Sequence, residues 1–336
     1  MKTLNFAAGL AGALGLRFAL RRLLRRSVAG CNVVITGGSR GLGLELARVF
    51  GKRGARIAIC ARDREELARA RNELHDRGIE AYAFSCDLTD EHAVREFIVS
   101  AMERLGGIDI LINNAGRIDV GPCETMTDED FWQSLRLHLF APLWTIRAAL
   151  PSLRERRGRV VNIASIGGLI SVPHLLPYSV SKFALVALSE GLHAELARYG
   201  IHVTTVCPGL MRTGSTENAH FKSQHRKEYA WFALSDAMPL SSVSAHNAAT
   251  MILRATEMQK AFTIISPQAW MAAMLHAQLP NAIARILSIV ARLLPGPGGI
   301  GTERMKGAAS HGALPAFPER LMLATLERAA KDLNQL

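Results

Sequence analysis

No two of the five cysteines, Cys31, Cys60, Cys86, Cys123 and Cys207, form a C-x-x-C pair, and their number is odd. That spacing argues against a disulfide framework and against cysteine-held metal, and it fits a reducing compartment. Three of them sit in or beside strand-like runs, where cysteine behaves as a small apolar residue. Also missing are zinc-finger spacing, an aromatic RNA-binding motif, a long basic helix and any internal repeat. The formal charge of +11 therefore does not indicate nucleic acid. Five arginines fall between Arg17 and Arg26 and the rest are scattered. The excess speaks for anionic lipid near the N-terminus and for phosphate groups elsewhere. With 49% hydrophobic residues in 336, one α/β core carrying appended segments fits the length.

Charge is absent from Thr3 to Leu16 as well. As a helix that stretch spans roughly 21 Å, short of the ~30 Å hydrocarbon core of a bilayer. Continuing to Leu20 nearly reaches that length if Arg17 snorkels to an interface. Leu16, Leu20, Leu23 and Leu24 share one side of the wheel, and Arg21, Arg22, Arg25 and Arg26 the other. That is the pattern of a helix lying in a membrane surface. A cleavable signal peptide normally has its positive charge before the apolar run, whereas here it comes mainly after. Residues 1–30 are thus expected to anchor or associate the chain on the cytoplasmic side of a membrane. A helix packed on the protein's own core, or a poorly ordered terminus, is the alternative.

From Cys31 the chain alternates apolar runs with longer segments of helical period. CNVVITGG, ARIAICAR, AYAFSCD, IDILINNAG, GRVVNIAS and IHVTTVCPG read as strands, with AFTII at 261–265 as an edge strand. Near-continuous apolar strands separated by helices predict a parallel sheet covered on both faces, a Rossmann-type doubly wound α/β fold over residues 31–265. Residues 266–336 form a helical extension. Within it Pro280 opens a helix carrying Ile283, Ile286, Leu287, Val290 and Leu294 on one side, and PGPGG at 295–299 stops it. Residues 300–317 read as loop, and Pro318 starts a last amphipathic helix ending near Leu336.

The run Thr36-Gly37-Gly38-Ser39-Arg40-Gly41-Leu42-Gly43 lies between the first strand and the first helix. Glycines there let the backbone turn tightly and approach a pyrophosphate, whose charge meets the helix N-terminal amides. A glycine-rich turn alone is a weak signal, and its place between strand and helix strengthens it. TGGSRGLG resembles the T-G-x-x-x-G-x-G fingerprint of the compact branch of the short-chain dehydrogenase/reductase family. Asn113-Asn114-Ala115-Gly116, Ser165, Tyr178-Ser179-Val180-Ser181-Lys182, and Pro208-Gly209 with Thr213 follow in that family's order. Ser165 and Tyr178 stand thirteen residues apart, as the family has them. The resemblance covers about residues 31–265.

It implies a nicotinamide dinucleotide cradled by Gly37, Ser39, Arg40, Gly41, Leu42 and Gly43. Asp87 and Leu88 would flank the adenine, while Asn114, Ala115 and Gly116 would support the cleft. Asp87 reads equally as a cap for the following helix. The second strand ends Cys60-Ala61-Arg62, with alanine where an NAD-preferring site carries an acid. Guanidinium groups at Arg62 and Arg40 suit a 2′-phosphate, so NADP(H) is expected over NAD(H). Solvated surface arginines, with Asp63 serving a ribose, are the other reading.

Tyr178 and Lys182 stand four apart on a predicted helix and so share a face. A free phenol, with a pKa near 10, is a poor base, and an adjacent ammonium with an oxidised nicotinamide is expected to lower that value. By the resemblance, Tyr178 exchanges the alcohol proton, Ser165 holds the reacting oxygen, and Lys182 fixes the nicotinamide ribose. Pro208, Gly209 and Thr213 close over the nicotinamide. Where the family carries an asparagine that helps hold a water linking the lysine to solvent, this chain has His138, which titrates near neutral pH and can maintain that relay; a bulkier side chain that displaces the water, or a satisfied helix histidine with a weak relay, is the other reading. Residues 214–240, with Phe221, Tyr229, Trp231, Phe232 and Met238, occupy the place of a substrate lid. His174, Leu175 and Leu176 stand where substrate-lining residues sit. Their apolar character suggests a hydrophobic carbonyl or alcohol substrate, although the aromatics read equally as core.

The leading expectation is a membrane-associated, homo-oligomeric NADP(H)-linked carbonyl reductase or alcohol dehydrogenase without a metal. The alternative is a cofactor-binding sensor or scaffold with weak turnover. An epimerase or dehydratase on the related longer fold would need a differently spaced glycine loop and a sugar-nucleotide domain, and neither is evident.

Overall fold

The computed structural model describes residues 25–237, 242–310 and 327–335. The expected N-terminal helix over residues 3–20 lies outside them. Arg25 and Arg26 lie within them and are not helical, which corrects their placement on the polar side of that helix. The Arg25 guanidinium pairs with the buried carboxylate of Glu257, and the Arg26 amide donates to the Glu257 carbonyl at 2.8 Å. The basic run therefore ends docked on the protein body.

The core elements are β1 (Asn32–Thr36), α1 (Gly41–Gly51), β2 (Arg56–Ala61), α2 (Arg64–Asp76), β3 (Ala81–Ser85), α3 (Glu91–Leu105) and β4 (Ile110–Asn113). A short strand β5 (Asp119–Val120) leads to α4 (Asp128–Leu135), a π turn (Arg136–Phe140), α5 (Ala141–Glu155) and β6 (Arg159–Ile163). Then come α6 (Leu176–Leu196), β7 (His202–Pro208), β8 (Leu210–Arg212), β9 (His220–Phe221) and α7 (His225–Ala237). β10 (Ser242–Ser244), α8 (Ala245–Glu257) and β11 (Phe262–Ile265) complete the core. The seven strands predicted from sequence form one parallel sheet, in the order β11-β7-β6-β4-β1-β2-β3.

Every residue of β1, β4 and β6 is buried, as strands covered on both faces must be. Leu44, Phe50, Leu74 and Ile252 from α1, α2 and α8 seal one face, and Phe97, Ile98, Ile146 and Leu153 from α3 and α5 seal the other. The strand order reverses between β1 and β4, so a crevice opens at their carboxyl ends.

The C-terminal extension begins with α9 (Pro267–Gln278) and α10 (Pro280–Leu293), the latter stopping just before the PGPGG run. Part of the expected loop over 300–317 is instead a strand, β12 (Met305–Lys306), which pairs antiparallel with β9; β9 in turn runs parallel to β5. Sequence pattern gave no sign of β12 because two residues carry no periodicity. Of the last predicted helix, residues 327–332 are helical, and residues 318–326 lie outside the described set. Among the described residues, no helix is long and apolar enough to cross a membrane.

The extension is fastened by a buried ion cluster. Asp130, which also closes a capping box with Thr127 at the start of α4, accepts from Lys222 and Arg304. Burial pushes its carboxyl up, but hydrogen bonds from Lys222, Thr127 and Arg304 hold it at about 2. Removing one partner of a buried pair leaves an uncompensated charge. Lys222→Ala is expected to cost about 3–5 kcal/mol, read as a lower urea midpoint. Unchanged unfolding would mean that the Lys222–Asp130 pair adds nothing to the fold.

Candidate active site

A cleft of about 730 Å³ opens at the carboxyl ends of β1, β2 and β4. Gly37, Ser39, Arg40, Gly41, Leu42 and Gly43 form one wall. Gly37 takes a φ of +65°, and a Cβ there would lie 2.8 Å from the Ala115 Cα. Any larger residue would push the loop away from the turn after β4. Asn114 fixes that approach, donating from Nδ2 to the carbonyls of Thr36 at 3.0 Å and Gly37 at 3.1 Å. Ala115 and Gly116 line the same wall, and Asp87 and Leu88 line the end beyond β3.

Asp87 is not the helix cap. Asp90 caps α3, accepting from the His92 and Ala93 amides, while Asp87 accepts from the Thr89 amide at 2.9 Å and from its hydroxyl. At the end of β2, Arg62 and Asp63 also border the cleft. Asp63 accepts from the amides of Glu65 and Glu66 at 2.9 Å and so caps α2. Sequence reading missed Glu66, whose carboxylate accepts from Ser39 Oγ at 3.0 Å and from Arg40 Nη1 at 2.7 Å. The only sign of it was its place one turn into α2, facing the glycine loop.

α6 carries Tyr178 and Lys182 into the cleft on one face. Tyr178 is half-buried beside Ser165: a Cβ on Gly167 would lie 3.1 Å from the Tyr178 ring and 3.4 Å from Ser165 Oγ, which accepts from the Gly167 amide at 3.0 Å. Buried Lys182 donates to the Ile163 carbonyl at 2.8 Å, with Nζ 5.8 Å from the Tyr178 ring centre. The expected lowering of the phenol pKa is not met in this site without a dinucleotide. Burial raises Tyr178 to about 12, against the pull of the Ser165 hydroxyl, and the Asp236 and Cys207 charges add to the rise. Burial likewise drops the Lys182 ammonium to about 7.

His138 is fully buried at the π turn. Its Nε2 accepts from the Arg117 amide at 3.1 Å, which leaves the proton on Nδ1, 2.7 Å from Ser181 Oγ. Ser181 donates onward to the Tyr178 carbonyl at 2.8 Å. Burial first, then the Lys182 and Arg117 charges, keep the imidazole well below its ordinary pKa. A relay that titrates near neutral pH does not fit this residue; a neutral histidine holding α6 in place does.

Thr213 lines the cleft, whereas Pro208 and Gly209 do not. Pro208 ends β7, and Gly209 is packed so closely that a Cβ would lie 2.9 Å from Ser266 Oγ. Of the lid aromatics, Phe221, Tyr229 and Phe232 are buried together with Leu175, so they are core; Met238 lies outside the described residues. His174 Nδ1 sits 2.9 Å from the Glu228 carboxylate and ties the lid to the segment before Tyr178.

Asp236, also missed from sequence, is buried in α7 and accepts from Thr216 Oγ1 at 3.1 Å. Burial raises it to about 7. Its folded value exceeds its unfolded one, so the stability it contributes is complete below about pH 4 and lost as pH rises through 7. Asp236→Asn is expected to flatten the thermal midpoint between pH 5 and 8 and raise it at pH 8. A profile as steep as that of the wild type would refute the burial of this acid.

Beneath the site a chain of buried hydrogen bonds joins Thr145, Asn113, Asn162, Ser189 and Thr205, from α5, β4, β6, α6 and β7 in turn, at 2.7–3.0 Å. It locks the strand ends that present Asn114 and Ser165.

A family model, short chain dehydrogenase, matches residues 31–224. A putative ketoacyl reductase of granaticin polyketide synthesis from Streptomyces violaceoruber is 36% identical over 227 residues, covering 65% of this chain and 84% of that protein. Human 17-beta-hydroxysteroid dehydrogenase 13 is 30% identical over 198 residues, covering 58% of this chain and 66% of that one. Among solved structures, a short-chain dehydrogenase from Streptomyces avermitilis superposes with a TM-score of 0.67 at 31% identity, covering 78% of this chain and 97% of that one. An actinorhodin polyketide ketoreductase crystallised with NADPH gives 0.63 at 31% identity, covering 71% and 96%. The chain belongs to the short-chain dehydrogenase/reductase family, NAD(P)-dependent oxidoreductases acting on CH–OH and carbonyl groups.

Proposed function

We propose that the chain interconverts a secondary alcohol and a carbonyl on an apolar substrate, using NADP(H), with Tyr178 as proton donor and acceptor. The observation carrying this reading is the placement of Tyr178 and Lys182, on one face of α6, in the same cleft as the glycine loop, with Ser165 beside Tyr178. The loop, with Gly37 pressed to Ala115, is shaped for close approach of a pyrophosphate. A nicotinamide held in this cleft would supply or accept the hydride, and its oxidised form would carry positive charge. During reduction the Tyr178 O–H gives its proton to the substrate oxygen as that oxygen gains charge; during oxidation the phenol oxygen takes it back. Ser165 would hold that oxygen in register, and the Lys182 ammonium would bind the ribose. Arg40 and Arg62 border the cleft where a 2′-phosphate would sit, which favours NADP(H).

A sensor with weak turnover is the second reading, favoured by the raised phenol and the depressed lysine. NADPH oxidation with a panel of apolar ketones, compared with Tyr178→Phe, separates the two. NADPH binding without turnover by the wild type would select the sensor.

The reading includes a homo-oligomer, as is common in the family, and contact with the cytoplasmic side of a membrane. What supports membrane contact is the hairpin of α9 and α10. Nine of the fifteen exposed large hydrophobics among the described residues belong to it or to its joint, Trp270, Ile286, Ile289 and Leu293 among them. Residues 258–302 contain no Asp or Glu, and Lys260, Arg285 and Arg292 supply cations suited to anionic lipid. Ile289→Glu with Leu293→Glu is expected to cut sedimentation with phosphatidylserine vesicles at least about tenfold. Equal sedimentation of this variant and the wild type would remove the hairpin from the proposal. Deleting residues 1–24 tests the expected N-terminal anchor separately and leaves the docked Arg25 and Arg26 in place.

A further inference from the structure

Residues 327–335 lie far outside the segment matched by the family model, yet they reach the nucleotide cleft. Ala330 and Leu333 are buried, so the segment is anchored. On the phosphate-loop side, the Gly41 amide donates to the Leu333 carbonyl at 2.8 Å. Asn334, at a φ of 54°, donates from one side-chain nitrogen to the carbonyls of Ser39 at 2.9 Å and Glu66 at 3.1 Å, and Arg69 Nε donates to its Oδ1 at 3.0 Å. On the lid side, Asn218 Nδ2 donates to Gln335 twice, to its carbonyl at 3.1 Å and its Oε1 at 2.8 Å. Ala330 presses on Gly214, where an added Cβ would lie 2.6 Å away. The Gln335 amide nitrogen would lie 2.6 Å from a Cβ on Gly41, and Gln335 lines the cleft.

From this bridging we propose that residues 333–335 are a clasp over the bound dinucleotide, with Asn334 and Gln335 as positioning residues that slow its release. The proposal rests on reading the cleft as the NADP(H) site. A molecule held between the phosphate loop and the lid leaves when the two separate, and one segment hydrogen-bonded to both sides resists that separation. Each bond contributes little in water, yet they open together because one short turn holds them all. The effect falls on dissociation, since contacts made after docking change the off-rate more than the on-rate.

The test is stopped-flow NADPH fluorescence on the full chain, with dissociation measured by chasing with excess NADP⁺. Asn334→Gly keeps the left-handed backbone accessible and removes only the side-chain bonds, and Gln335→Ala removes the side-chain half of the link to Asn218 while the bond to its carbonyl stays. The combined variant is expected to release NADPH about tenfold faster, with association within twofold of wild type. A general loosening of the fold would not split the two rates in this way. Asn218→Ala alone should act in the same direction, and adding it to Gln335→Ala should give less than the product of the two effects. An unchanged off-rate overturns the clasp while leaving the cofactor site standing. Faster association with tighter binding also overturns it, because the Leu333 carbonyl would then be competing with the pyrophosphate for the Gly41 amide. No NADPH binding by the wild type would bring down the cofactor reading itself, and the clasp with it.

Discussion

Tyr178→Phe is expected to lower kcat for carbonyl reduction by about 10²–10⁴-fold, the range for loss of a positioned proton donor. The substitution is a clean one in this structure. The ring keeps its edge-to-face contact with His138, with centres 5.5 Å apart, and Ser165 keeps its hydrogen bond from the Gly167 amide. NADPH affinity is therefore expected to stay within about twofold, because the glycine loop and Asn114 are untouched. Measuring kcat and the NADPH dissociation constant on the same preparation checks both halves. Full activity in the phenylalanine variant would remove Tyr178 from the chemistry and leave the family membership intact.

Arg62→Ala is expected to weaken NADPH binding by about 10–100-fold while changing NADH binding by less than threefold, since a charge-assisted bond to phosphate is worth about 1.5–3 kcal/mol. Arg40→Ala is expected to do the same to a smaller degree. The two differ because Arg40 is already bonded to Glu66 at 2.7 Å, and a phosphate there must share or displace that carboxylate. Arg62 is exposed at the rim of the cleft. Titration of each variant with both dinucleotides provides the check. Equal losses for NADH and NADPH would sink the assignment of this corner to a 2′-phosphate.

The doubly wound core was legible because its information is local and redundant. Each buried strand shows as an apolar run, and the glycine loop, Asn114, Ser165, Tyr178 and Lys182 fall in order along it. The charge state of the site was not legible. Spacing puts Lys182 one turn from Tyr178, but the burial that raises one pKa and lowers the other comes from the assembled fold. His138 stood out as a departure, and only its partners, the Arg117 amide and Ser181, show it to be neutral and tied. The lid aromatics suggested a pocket wall, whereas Phe221, Tyr229 and Phe232 pack on one another. Composition cannot separate a lining aromatic from a core one. Glu66, Asp236 and the 333–335 turn escaped because each acts on residues distant in sequence, 295 positions in the case of Asn334 and Ser39.

The buried chain from Thr145 to Thr205 bears on how such an enzyme can be redesigned. It welds the floor of the site to two helices and three strands, so the floor offers little room for altered substrate shape. New specificities selected from mutant libraries should accumulate in residues 214–236 and in the turn before Tyr178, with Asn113, Asn162 and Ser189 left as they are.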